Sequence, residues 1–217
     1  MKLVFPPLYV IMDAILLRTS ELAIAEMLAK SGVELIQYRD KLASSRRLFE
    51  VSRLLASDLN PRGVRFIVND RPDIAVLTDA GGVHVGQEDL GVEQARSICG
   101  PARWVGISTH TLELLAEADK TSADYIALGP IFPTATKANA HAAVGVECIR
   151  RARELTRKPL VAIGGITLER AGEAFRAGAD SVAVASDLLS AADPAARARQ
   201  FLELAAQSRA NPVQGVR

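Results

Sequence analysis

Eight short apolar or β-branched runs recur along this chain, each separated from the next by a stretch long enough for a helix. They are Leu8–Met12, Leu35–Tyr38, Phe66–Val68, Gly82–Val85, Val105–Ile107, Tyr125–Leu128, Leu160–Ile163 and Ser181–Ala185. The segments between them carry helical spacing: Ile24, Met27 and Leu28, then Leu48, Val51, Leu55 and Leu59, set one apolar stripe against a sheet. Start and stop signals agree, with Thr19 ahead of the first helix, Pro72 at a first helical position, Thr167 opening GGITLERAGEAF, and Gly178 after Ala177 as a stop. Eight strand–helix units in 217 residues predict an α/β chain folded as a single (β/α)8 TIM barrel over residues 1–210, with 211–217 a flexible tail. An open doubly wound sheet is the alternative. Against it stand the strand count and the lack of a Gly-x-Gly-x-x-Gly after the first strand.

The bulk numbers decide which partners to expect. Lysine and arginine number 26 against 25 acids, so no global field favours nucleic acid or an anionic membrane. The apolar stretch Leu8–Leu17 is broken by Asp13 and no run reaches the ~20 residues of a membrane span, so it reads as a strand. Cys99 and Cys148 stand in no metal-like spacing and read as two buried thiols in a reducing, cytoplasmic compartment. An apolar helix face allows either a homo-oligomer or plain packing of the barrel.

In such a barrel the C-terminal strand ends point into the catalytic mouth, and this sorts the polar residues. Gln37, Arg39 and Lys41 follow strand two with the same facing, an amide, a guanidinium and an ammonium suited to a polar heterocycle and a phosphate. Asn69 and Asp70 follow strand three, and Asp89 follows strand four. Two carboxylates brought together from adjacent strands without a salt partner suit Mg²⁺, although each acid met singly reads as a cap or a turn residue. His84, inside its strand, reads as a satisfied lining histidine. Ser108 is a donor candidate after strand five, while Thr109 and Thr111 read as helix caps.

Strand six empties into DYIALGPIFPTATK, which carries Thr134, Thr136 and Lys137. Hydroxyls and an ammonium suit an anion, and the same composition also suits an ordinary solvated loop. Gly164 and Gly165 after strand seven, and Ala185–Ser186 after strand eight, occupy the usual phosphate cradle of a barrel.

Taken together, QYRDK, NDRPDIA, GVHVGQEDL, GISTH, DYIALGPIFPTATK, AIGGIT and VAVAS resemble the thiamine phosphate synthase family, in order from Leu8 to about Leu189. The resemblance implies Mg²⁺-dependent transfer of a hydroxymethylpyrimidine group from its diphosphate to a thiazole phosphate, by departure of diphosphate and capture of a pyrimidine-methyl cation. It also implies site roles. Gln37, Arg39, Lys41, Asn69, Ser108 and Lys137 would hold the pyrimidine diphosphate, with Arg39, Lys41, Lys137 and Ser108 in the chemistry. Asp70 and Asp89 would hold Mg²⁺, and Thr134, Thr136, Gly164, Gly165, Ala185 and Ser186 the thiazole phosphate. The first strand departs from the family in reading YVIMD, and Asn139 replaces a frequent acid. A thiazole tautomerase-like paralogue, which tends to carry a histidine where Pro130 stands, and a non-catalytic phosphate-binding barrel are the competing readings.

Overall fold

Each of the eight runs becomes a strand. The computed structural model describes residues 4–134 and 142–210. Its strands are β1 (Leu8–Asp13), β2 (Leu35–Arg39), β3 (Arg65–Asn69), β4 (Gly82–Val85), β5 (Trp104–Thr109), β6 (Tyr125–Leu128), β7 (Leu160–Ile163) and β8 (Ser181–Val184). Every strand is parallel to the next, and β8 pairs back onto β1 through Leu8 opposite Val182, closing the barrel. Helices α1 (Glu21–Lys30), α2 (Ser45–Leu59), α3 (Pro72–Leu77), α4 (Val92–Cys99), α5 (Leu112–Asp119), α6 (Val146–Leu155) and α7 (Leu168–Arg176) each follow one strand. After β8 come a short α8 (Ser186–Leu189) and the long α9 (Pro194–Ala210).

Strand alternation divides the core in two. Val10 and Met12 of β1 face outward, into a layer that also contains Ile24, Leu28, Leu48, Val51, Leu55 and Leu59 from the predicted helix stripes. Tyr9 and Ile11 face inward, with Leu35, Ile67, Tyr125, Ala127, Val161 and Ala183. The floor is aromatic: Phe5 stacks on Trp104 with centroids 5.3 Å apart, and the Arg65 guanidinium lies 3.9 Å over the indole. With that end packed, the strand C-termini form the open rim.

The local signals are displaced in small ways. Ser20, one residue after Thr19, caps α1 by accepting from Ala23 N–H at 3.3 Å. Pro72 does open α3, and Gly178, at φ +108°, follows Ala177 at the end of α7. Thr167 stands at the start of α7 but makes no side-chain cap bond. Thr111 caps α5, whereas Thr109 donates to Ala127 O at 3.0 Å across the sheet and caps nothing. Both cysteines are free thiols, Cys99 buried but Cys148 only half-buried, and burial raises the pKa of each. Among the described residues no helix is long and apolar enough to cross a membrane.

Candidate active site

Register decides which polar side chains meet at the rim. Asp13 is the sheet partner of Arg39, Asn69 of His84, and Ser108 of Ala127. Because inward positions alternate, Asp13 and Arg39 both end inward-facing rows. Arg39 Nη1 donates to Asp13 Oδ2, with the carboxylate side chain only 6 % exposed and the guanidinium 18 %. The other Asp13 oxygen accepts from Ile15 N–H at 3.3 Å and starts a 3-10 turn, Ala14–Leu16. Asp13 was missed as a site residue by sequence reasoning, although the strand-end rule applied to β2, β3 and β4 also singles out the acid that ends LYVIMD.

Gln37 shares the facing of Arg39 but sits one layer deeper. It is buried, and its amide donates to the Tyr9 hydroxyl, so it lies beneath the mouth instead of on its rim.

The carboxylate pair comes together, but with a salt partner that the sequence reading lacked. Lys41 Nζ donates to Asp70 Oδ2 and lies 3.9 Å from Asp89 Oδ1. The reason is reach: Lys41 follows β2, next to β3, and its long stem carries the ammonium across to both acids. Asn69 also donates to Asp70 Oδ2, at 2.6 Å, and Gly86 N–H donates to Asp89 Oδ2 at 2.8 Å. Burial raises the pKa of Asp70, helped by the Asp89 carboxylate. Burial pushes Asp89 upward too, but hydrogen bonds from Asp70 and the Gly86 N–H, with the charge of Lys41, outweigh it and leave Asp89 lowered. Two such carboxylates in contact call for a shared proton or a shared cation. Asp70 is no helix cap; it holds a left-handed φ of +61°, a strained backbone for a non-glycine residue and one often kept at functional sites.

Ser108 is half-buried on β5, its hydroxyl 2.8 Å from His84 Nε2. His84 is therefore the satisfied lining histidine expected of it, and its Nδ1 meets Tyr125 Oη at 3.1 Å.

The other half of the rim is made of backbone. Ile131 N–H donates to Ile163 O at 2.8 Å and Phe132 N–H to Gly164 O at 3.0 Å, fastening the segment after β6 onto the end of β7. Gly164 and Gly165 have φ of +91° and +62°, and a Cβ on Gly165 would stand 2.5 Å from Pro133 O. Thr134 follows on this segment, half-buried. Thr136 and Lys137 lie outside the described residues. Ala185 and Ser186 follow β8 directly, Ser186 being the first residue of α8. The rim thus has a charged half from β1 to β4 and a glycine-lined half from β6 to β8, with Ser108 between them in strand order. A groove of about 520 Å³ between Asp119, Leu155, Thr156 and Lys158 lies at the opposite end of the barrel, before β7.

A cation-and-carboxylate half facing a glycine-lined half suits two anionic ligands, and comparison with known proteins agrees with the motifs that suggested it. The profile of the thiamine monophosphate synthase family matches residues 8–188. The chain belongs to this family. A thiamine-phosphate synthase of Koribacter versatilis is 49 % identical over 180 residues, which is 83 % of this chain and 84 % of the relative. One from Methanospirillum hungatei is 42 % identical over 198 residues, 91 % of this chain and 96 % of its own. Among solved structures, a thiamine phosphate pyrophosphorylase from Pyrococcus furiosus superposes with a TM-score of 0.85 at 33 % identity, covering 93 % of this chain and 96 % of that one. Phosphoribosyl anthranilate isomerase from Thermotoga maritima, at 18 % identity and a TM-score of 0.68, shares the barrel alone. Thiamine-phosphate synthases are transferases, and this member of their family is an enzyme of that class.

Proposed function

We propose that this enzyme transfers a hydroxymethylpyrimidine group from its diphosphate to the ring nitrogen of a thiazole phosphate. The bond from the pyrimidine methylene to diphosphate oxygen breaks, its electrons leave with diphosphate, and the thiazole nitrogen supplies the pair for the new carbon–nitrogen bond, giving thiamine phosphate. The observation that carries this reading, beside family membership, is the convergence of Arg39, Lys41, Asp70 and Asp89 on one half of the rim. Departure of a polyanion needs positive charge near the leaving oxygens and no nucleophilic side chain.

The residues fit Mg²⁺. Asp70 and Asp89 offer hard oxygen donors gathered around the Lys41 ammonium, and two carboxylates plus substrate phosphate and water are what this ion takes. When bound, Mg²⁺ would neutralise diphosphate oxygens as they leave. Lys41, which holds the two acids together, would turn its ammonium to the diphosphate, while Asp13 keeps Arg39 extended toward it. Asn69 would hold the pyrimidine side from the rim and Gln37 from beneath it, through the amide oxygen that its bond to Tyr9 leaves over, with Ser108 donating to the ring. Thr134, Thr136, Gly164, Gly165, Ala185 and Ser186 would hold the thiazole phosphate, and Lys137 would stand between the two ligands. The free thiols support a reducing, cytoplasmic setting.

The test is an assay with hydroxymethylpyrimidine diphosphate and thiazole phosphate, following thiamine phosphate and diphosphate together. Both products are expected with Mg²⁺, and neither with excess chelator. Binding of either substrate without product overturns the reading in favour of a phosphate-binding barrel, and full turnover by Lys137→Ala removes that residue from the mechanism.

A further inference from the structure

A file of polar groups runs down the inside of the barrel and ends at the mouth. Gln37 Nε2 donates to Tyr9 Oη; Tyr9 Oη lies 2.9 Å from Tyr125 Oη; Tyr125 Oη lies 3.1 Å from His84 Nδ1; and His84 Nε2 lies 2.8 Å from Ser108 Oγ. Gln37, Tyr9, Tyr125 and His84 are all buried. Packing holds the file in place: the His84 ring stacks on Tyr125 at 5.4 Å, and Tyr9 meets Tyr125 edge-on at 5.9 Å. Gly106 faces Tyr125 across the sheet, and a Cβ there would fall 2.1 Å from the ring, so the glycine makes the space the tyrosine occupies.

Counting protons along the file gives it a direction. With the Gln37 amide nitrogen turned to Tyr9, the assignment that leaves no buried hydroxyl proton of the file without a partner sends the Tyr9 proton to Tyr125. Tyr125, accepting from Tyr9, gives its proton to His84 Nδ1. A neutral imidazole that accepts at Nδ1 carries its proton on Nε2 and donates to Ser108 Oγ. Ser108 accepts there and has its own proton left for a group in the mouth. Both phenols remain protonated, because burial raises the pKa of each far above the ordinary tyrosine value.

We propose that Gln37, Tyr9, Tyr125 and His84 orient Ser108 as a hydrogen-bond donor, so that the mouth selects a ligand presenting an acceptor atom at that point. Tyr125 is a positioning residue in this arrangement, acting through His84 without touching ligand. Identifying the acceptor as an unprotonated nitrogen of the pyrimidine ring rests on the proposed function; the direction of the file does not.

The experiment reads the two parts separately. The chain has three histidines, so ¹⁵N-histidine labelling gives a spectrum simple enough to assign by loss of the His84 signals in His84→Gln. In the free wild-type protein His84 is expected to show an acceptor-type Nδ1 and a protonated Nε2. Tyr125→Phe is expected to abolish that fixed tautomer and to raise the KM for the pyrimidine diphosphate about 3- to 10-fold, as loss of one oriented hydrogen bond does, with the KM for thiazole phosphate unchanged. A general loosening of the barrel would move both KM values. A wild-type His84 protonated on Nδ1, or a Tyr125→Phe protein with unaltered ¹⁵N shifts, overturns the proposal. If Tyr125→Phe does not fold, the wild-type spectrum decides alone. Absence of turnover in the wild type, with the expected tautomer present, would count against the proposed reaction and leave the file standing.

Discussion

Arg39→Ala is expected to lower the thermal unfolding midpoint by roughly 6–12 °C and product formation by about 10²–10³-fold. The stability loss comes from the residue left behind. The Asp13 carboxylate has a side chain only 6 % exposed, and without the guanidinium the Ile15 N–H is its one remaining hydrogen-bond donor among the described residues. Removing one member of a buried pair costs ~3–5 kcal/mol; the rim opens to solvent, so we take the lower end, and about 3 kcal/mol corresponds to ~2–4 °C per kcal/mol for a chain of this size. The activity loss follows from the proposed reaction and has a separate origin, the loss of a cation that would stand beside the departing diphosphate, for which removal of one oriented donor gives ~10²–10³-fold. The double variant Asp13→Asn, Arg39→Ala separates them. It no longer buries an unpaired charge, so its melting point should return most of the way while its turnover stays low. Recovery of both, or of neither, would show that the ion pair and the catalytic contribution are not the independent quantities argued here.

That ion pair also shows what a one-dimensional reading reaches and where it stops. The barrel was legible because a double-sided strand and a single-sided helix leave different periods in the chain, and eight repetitions of the pair admit few arrangements. The strand-end rule located Arg39, Lys41, Asp70, Asp89 and Ser108 for the same reason. What it lacked was register. Asp13 pairs with Arg39 because β1 and β2 are aligned residue for residue at their ends, and Lys41 joins Asp70 and Asp89 because the segments that follow β2, β3 and β4 lie side by side beyond their aligned strands. Neither fact has a local signature. Depth was hidden likewise: Gln37 and Arg39 have the same facing, yet two residues along a strand is enough to carry the amide from the rim into the buried file below it. Thr136 and Lys137 lie outside the described residues, so their proposed roles rest on sequence and family alone.

Gly164→Ala should abolish turnover and destabilise the fold by about 2–6 kcal/mol, from two costs that add. One is backbone strain: φ at Gly164 is +91°, a region that costs a residue with a Cβ ~1–3 kcal/mol. The other is collision. The new Cβ would stand 2.4 Å from Pro130 Cβ and 2.5 Å from Pro130 Cα, and overpacking of this kind costs ~1–3 kcal/mol. A backbone atom is among those struck, so relief requires the chain itself to move, and the chain at that point is the segment that Ile131 and Phe132 fasten to β7. Moving it also moves Thr134, which follows on that segment and which the proposed function assigns to the thiazole phosphate. Gly63→Ala is the control, since Gly63 also has a positive φ, +75°, but its Cβ would meet nothing within 4 Å. That variant should lose ~1 kcal/mol from strain alone and keep full turnover. Urea unfolding of both proteins, with the product assay on each, distinguishes the two costs. If Gly164→Ala loses no more stability than Gly63→Ala and still turns over, the close approach of β7 to the segment after β6 is not what shapes this half of the site.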